Sequence, residues 1–307
     1  MDVDAIIVTY QSEATIAVAI RSARASGLTG RIMVVDNASR DDSALFAEHA
    51  GADEVLRNRA NEGFAKAVNQ ALRRCGASRI LLLNPDARID RETLAALSTA
   101  LDAEPRAALA APLLVDHDGR ADLGATRFST LSNRVGMCLP LLGRLPWLRP
   151  DYPRAKHIAR SGVVVPVDSI WGAVVLADGA FLRSIGGFDE RFFLFSEDED
   201  LCRQARVAGR LVLLVTGARA THAGGASSAD VAIREALRLH AAGRLFEKWD
   251  GLDAAVRFSR LIAAAFCLRE ALFSALAPFS KSARTRAEEA RRLGTLFAEM
   301  AARGSAR

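Results

Sequence analysis

Apolar residues fall along the first third of the chain in two alternating rhythms. Val3–Thr9 (VDAIIVT), Arg31–Asp36, Asp53–Asn58 and Arg79–Asn84 are short β-rich runs and read as strands. Between and after them, Glu13–Ala25, Asp41–Ala50, Phe64–Arg74 and Arg91–Glu104 carry apolar positions at helical spacing. Strands alternating with helices predict an α/β fold: a Rossmann-like, mostly parallel sheet flanked by helices. Such sheets bind ligands beyond the carboxyl ends of their strands. Here those ends are Thr9 and Tyr10, Asp36 and Asn37, Asn58, and Asn84, Pro85 and Asp86, all polar except the proline.

The rhythm changes in the second half. Asp178–Ile185 reads as a helix closed by Gly186 and Gly187. Phe188, Phe192, Phe193 and Phe195 then precede four consecutive acids, Glu197 to Asp200, a helix over Leu201–Ala208 and a strand over Leu211–Val215. Asn133–Arg154 is apolar, punctuated by proline and basic at intervals; it reads as a lid, a membrane-contacting loop or a plain surface loop. After Ser228 the pattern is helical. Phe258–Phe279 is apolar nearly all round, with Arg269 intruding, so burial between helices competes with an interfacial role. Leu293, Leu296, Phe297 and Met300 form a stripe on the last helix. No unbroken run of eighteen apolar residues occurs, so no membrane-spanning helix is expected.

Composition narrows the class. Half the residues (50%) are hydrophobic and 25% charged, as in a soluble globular protein with a sizeable core. Cys75, Cys138, Cys202 and Cys267 show no metal or disulfide spacing, which suits a reducing compartment. The start, MDVDAIIVTY, lacks the basic region of a signal peptide, so a cytoplasmic protein is expected. Net charge is +5, and the stretch from Ala226 onward, with 14 basic and 9 acidic residues, accounts for all of it. A neutral body argues against nucleic acid as partner. The basic tail is either a solubilising surface or a contact for phosphates.

Candidate chemistry clusters at the strand ends. Asn84 and Asp86 are hard oxygen donors two residues apart, suited to Mg2+ or Mn2+ carrying a diphosphate; an ordinary Asn-Pro-Asp turn reads the same way. Asp36 and Asn37 suit hydrogen bonding to a nucleoside, or a turn opening the next helix. Asn61 and Gly63 open a helix whose N-terminus favours phosphate, with the glycine permitting close approach. Neither a dinucleotide G-x-G-x-x-G after the first strand nor a P-loop is present. Four crowded acids beside aromatic surface raise a carboxyl pKa, which suits a general base, or simply complement a helix dipole. His222, in a glycine-flanked loop, is a further candidate metal ligand.

Taken in order, IIVTY, VVDNASRDDS, NEGFAKAVNQAL, LLLNPDA, GGFDERFFLFSEDEDLC and THAGGAS resemble the inverting family 2 glycosyltransferases of GT-A fold, particularly their rhamnosyltransferase branch. The resemblance implies that Thr9, Tyr10, Asp36, Asn61, Gly63, Asp86 and Trp171 bind a nucleotide sugar. It implies a divalent cation on Asp86 and His222, and Asp198 of the Glu197 and Asp198 pair as catalytic base. Asn84 replaces the first acid of the family's Asp-x-Asp. Asp200 competes with Asp198, and Asp198 is preferred because Asp200 is expected to cap the helix from Leu201.

The organisation implied is a GT-A domain over 1–228, with a nucleotide-sugar half to about 115 and an acceptor half from about 116, then a helical extension over 229–307. The expected function is inverting transfer, with dTDP-rhamnose as candidate donor, to a cell-surface glycan or lipid-linked acceptor. Peripheral contact with the cytoplasmic membrane face through the tail is a further expectation. The competing readings are a sugar-phosphate nucleotidyltransferase, whose glycine-rich loop after the first strand is missing, and a noncatalytic nucleotide-sugar-binding protein.

Overall fold

A computed structural model describes residues 2–116, 118–139, 158–159, 161–222 and 230–304. Much of the segment read as a lid or loop, 140–154, and the glycine-rich residues after His222 lie outside them. The chain forms two compact units. The first takes residues up to Arg127, Asp151–Phe193 and Glu197–Ser227; the second takes Phe128–Pro150, Leu194–Ser196 and everything from Ser228.

The first unit is the α/β body. Its strands are β1 (Val3–Thr9), β2 (Ile32–Asp36), β3 (Glu54–Arg57), β4 (Arg79–Leu83), β5 (Ala87–Arg88), β6 (Ala107–Val115), β7 (Ala121–Asp122), β8 (Ala125–Thr126), β9 (Val164–Val167), β10 (Ser169–Ile170), β11 (Val174–Asp178) and β12 (Leu211–His222). The main sheet runs β3-β2-β1-β4-β11-β6-β12-β5. β1 pairs in parallel with β2 and β4, and β2 with β3. β11 enters antiparallel between β4 and β6, which breaks the otherwise parallel centre. Helices α1 (Ile16–Ala25), α2 (Ser43–His49), α3 (Phe64–Leu72) and α4 (Arg91–Ala103) cross between the early strands. α1 starts three residues later than its periodicity suggests, because Ser12 to Thr15 form a turn closed by Thr15 N–H on the Ser12 carbonyl.

The strands β5 to β11 were not read from the sequence, and β12 was read only in part. β6 (AALAAPLLV) is rich in alanine and leucine and interrupted by Pro112, so its pattern does not separate strand from helix. β12 extends seven residues past Val215, because a register shift between Val215 and Arg219 lets it continue along β6. That extension brings His222 opposite Ala87 of β5.

Two helices complete this unit, α6 (Gly179–Ser184) and α7 (Glu197–Val207), numbered after α5 of the second unit. α7 begins at Glu197 and not at Leu201, so all four acids lie inside its first turn and Asp200 is not its cap. The core packs β1, β2, β4 and β11 side chains such as Ile7, Val34, Leu81 and Leu176 against α1 and α4. Burying each aliphatic side chain of this kind contributes about 1.5–3 kcal/mol.

The second unit is helical. It contains α5 (Leu131–Cys138), α8 (Val231–Asp250), α9 (Leu252–Leu276) and α10 (Lys281–Gly304). α5 replaces the start of the expected loop and is fixed by a capping box between Thr130 and Asn133. Phe246, Phe258 and Phe297 bring α8, α9 and α10 together, with ring centroids 5.0 and 6.5 Å apart. α9 with the following turn is, by length and composition, long and apolar enough to cross a membrane. Arg269 and Glu270 interrupt the run, so no eighteen-residue stretch is apolar throughout, and length and composition alone do not make this helix a span.

Candidate active site

β1 and β2 end in register, Thr9 beside Asp36. Both are buried, and Thr9 Oγ1 and Asp36 Oδ1 have no hydrogen-bond partner among the described residues. Buried polar atoms are nearly always satisfied, so two orphans side by side at a strand edge point to an absent ligand with hydroxyl or N–H groups. Asp36 Oδ2 accepts from Ser39 N–H at 3.2 Å, which holds the carboxylate at this edge. Tyr10 is half-buried just beyond.

The neighbouring loop is organised by Asn37. Its amide donates to the Gly63 carbonyl at 3.1 Å, and its Oδ1 accepts from Asn58 Nδ2 and Glu62 N–H. Asn61 Oδ1 accepts from Gly63 N–H at 3.0 Å, a local turn. Gly63 sits at φ +85°, and a Cβ there would lie 2.6 Å from the Phe193 carbonyl oxygen. The close approach that this glycine allows is therefore to the Phe193 backbone, whose carbonyl accepts from Phe64 N–H at 2.7 Å. Sequence reading missed Asn69 of α3. Its side chain bonds both the N–H and the carbonyl of Phe188 at 2.8 Å, clamping the loop that leads into the acids. A lone mid-helix asparagine gives no sequence signal for such a role.

β4 stops at Leu83, and a turn closed by Ala87 N–H on the Asn84 carbonyl carries Asp86. His222 Nε2 lies 3.3 Å from Asp86 Oδ1 and 3.4 Å from Asn84 Nδ2. Adjacent ligands of an octahedral ion with bonds of ~2.1 Å stand ~3.0 Å apart, so a carboxylate oxygen and an imidazole nitrogen at this separation fit a shared Mg2+ or Mn2+. Turning the Asn84 amide over would present its oxygen in place of nitrogen. No group of three His, Cys, Asp or Glu comes together among the described residues, so the remaining ligands must come from elsewhere, as in a Mg2+ site completed by substrate phosphates and water.

The four acids have different fates. Glu199 pairs with Arg203 at 3.0 Å, and Asp200, only 1% exposed, accepts from Gln204 Nε2 at 2.8 Å. Glu197 is buried with Oε2 unpartnered; burial, then the neighbouring Asp198 charge, pushes its carboxyl up to about 8. The rise expected of the acid run thus falls on Glu197. Asp198 is half-buried, its Oδ1 accepting from Glu199 N–H at 2.8 Å and its Oδ2 from Gly172 N–H at 3.3 Å. Trp171, next to Gly172, is 41% exposed. Asn84 N–H donates to the Ala173 carbonyl at 2.9 Å. The segment Trp171–Ala173 therefore ties the Asp86 turn on one side to Asp198 on the other.

Residues 4–172 match the family model for glycosyl transferase family 2. An N-acetylglucosaminyl-diphospho-decaprenol L-rhamnosyltransferase of Mycobacterium tuberculosis is 29% identical over 206 residues, 62% of this chain and 66% of its own. Similarity to the low-salt glycan biosynthesis hexosyltransferase Agl10 of Haloferax volcanii is 26% over 212 residues, 67% of this chain and 62% of that protein. The match thus spans slightly less than two thirds of either relative's length. A mannosyltransferase from Pyrobaculum calidifontis, solved with GDP-Man and Mn2+, superposes with a TM-score of 0.58 at 15% identity, covering 97% of this chain and 86% of that one. The likeness is one of fold. With the family model covering more than half of its residues, the chain belongs to glycosyl transferase family 2 and has the GT-A fold.

Proposed function

We propose that the protein transfers a sugar, with inversion, from a nucleotide diphosphate sugar to a hydroxyl of a glycan acceptor. The observation that carries this reading is the hydrogen-bonded corner Asp86, Asn84, Ala173, Gly172, Asp198, which joins the turn carrying Asp86 to the Asp198 carboxylate. Thr9 and Asp36 would take the ribose or base of the donor, with Tyr10 beside them, while Asn61 and Gly63 shape the adjoining loop. Asp86 and His222, with Asn84 alongside, would hold Mg2+ or Mn2+, which supplies positive charge to a leaving diphosphate. Trp171 offers an exposed aromatic face for the sugar or the acceptor.

A sugar hydroxyl is a poor nucleophile at neutral pH, so a base must take its proton. Asp198 accepts that proton as the acceptor oxygen bonds to the anomeric carbon. The bond from that carbon to the diphosphate oxygen breaks, and its electron pair leaves with the phosphate. One displacement inverts the centre. Burial raises the Glu197 carboxyl well above the usual carboxylate range, which disfavours a second negative charge beside the base.

A rhamnosyl donor such as dTDP-rhamnose and a lipid-linked acceptor are supported by the name of the mycobacterial relative. Such a reaction would sit on the cytoplasmic face of a membrane. A thermal-shift screen of dTDP, UDP and GDP sugars with and without Mn2+ tests the donor, since a ligand that binds the native state raises the melting temperature. A metal-dependent rise with dTDP-rhamnose, followed by transfer and not pyrophosphorolysis, is expected. A chain that responds to no nucleotide sugar would refute the reading.

A further inference from the structure

The helical unit has a second face that transfer chemistry does not use. One side of α9 buries Phe258, Ile262, Phe266 and Phe273. The flank about 90° further round the helix exposes Leu261, Leu268, Leu272 and Leu276, each 42–59% exposed, and Phe279 follows at 88%. At 3.6 residues per turn Leu261, Leu268 and Leu272 lie within about 40° of one another. Ala264, Ala271 and Ala275 fill the same exposed side, so no polar side chain interrupts it. At Leu261 this face runs into an open groove of about 580 Å³ lined by Leu131, Val135 and Leu139.

Cations frame the stripe. Arg257 and Arg260 precede it, Lys281 and Arg284 follow it, all four are exposed, and none makes an ion pair among the described residues. We infer that this face of α9 lies flat on an anionic lipid bilayer, with its leucines in the acyl boundary and the flanking cations among the headgroups. A helix whose exposed face is apolar between basic ends has the chemistry of an interfacial element.

Two other occupants fit less well. Spanning would carry the packed face with it. There Glu270 pairs with Arg291 at 2.7 Å and Arg286 stacks on Phe273, and such charges do not belong in hydrocarbon. A second copy paired through this stripe about a two-fold axis would set cationic ends against cationic ends, in either direction.

Flotation of the full-length protein with vesicles decides the matter, independently of any transferase activity. The probes are phosphatidylcholine vesicles with and without phosphatidylglycerol, at low and high NaCl. Binding to the anionic vesicles, weakened by salt, is expected. Leu268→Glu with Leu272→Glu, both at exposed positions, should cut partitioning at least about tenfold with an unchanged melting temperature. Should that variant misfold, Arg257→Ala with Lys281→Ala serves instead, at about fivefold per cation removed. No flotation at low salt, undiminished flotation of these variants, or binding that ignores lipid charge would overturn the proposal. So would a dimer, seen by sedimentation, that Leu268→Glu dissociates while vesicles capture nothing.

Discussion

Asp86→Ala removes the sole carboxylate of the donor set at the β4 turn, and its effect follows from the geometry. Asp86 Oδ1 and His222 Nε2 stand 3.3 Å apart, with side chains only 12% and 20% exposed. A cation held by these two half-buried side chains would be partly shielded from water, so losing the carboxylate should weaken nucleoside diphosphate binding by about 2–4 kcal/mol, roughly 30- to 1,000-fold. His222→Ala should cost less, about 1.5–3 kcal/mol, because it removes a neutral ligand. The double variant should be scarcely worse than Asp86→Ala, since two ligands of one ion are not independent. Isothermal titration of dTDP or UDP provides the assay, run once with Mn2+ and once with EDTA. All three variants should match the wild type in EDTA and fall away only with metal. Additive losses, or equal losses in EDTA, would show that these residues act through the fold and hold no cation.

Two further outcomes concern the loop and the acids. Glu197 has its carboxyl raised from 4.5 to about 8 in the folded protein, so its contribution to stability is present below pH 4.5 and is lost as pH rises towards 8. Urea midpoints of the wild type should fall between pH 5 and pH 8 more steeply than those of Glu197→Gln; equal slopes would contradict the buried, neutral state. Gly63→Ala forces a Cβ to 2.6 Å from the Phe193 carbonyl at φ +85°, and should destabilise the protein by about 2–4 kcal/mol in the same assay; a neutral effect would contradict the close packing.

Much of the candidate site was legible because its chemistry sits at the ends of apolar strands. Thr9, Asp36 and Asp86 follow unmistakable strand patterns, and parallel strands of one sheet bring their carboxyl ends to a common edge. The pairing of Asp86 with His222 was not legible from spacing: it depends on β12 continuing through a register shift to reach β5. Nor was the sorting of the acids. An unbroken run from Glu197 to Asp200 looks uniform, and only the helix starting at Glu197 shows which acids turn inward to Arg203 and Gln204 and which one meets Gly172. Asn37, Asn69 and Gly63 hold loops together through contacts distant in sequence, which local pattern cannot reveal. The exposed stripe of α9 was partly visible as an apolar helix, but which side is covered depends on α8 and α10.

The central claim is that Asp198 takes the acceptor proton, and single-turnover transfer by Asp198→Asn, paired with a donor titration, tests it most directly. The substitution keeps size and leaves an oxygen to accept from Gly172 N–H, but it cannot act as a base. The transfer rate should fall about 10²- to 10⁴-fold while donor affinity stays within about twofold. Asp200→Asn, changed at a buried acid already bonded to Gln204, should keep its rate and lose only stability. An active Asp198→Asn beside an inactive, folded Asp200→Asn would contradict the assignment, and activity in both would remove the acid run from the chemistry altogether.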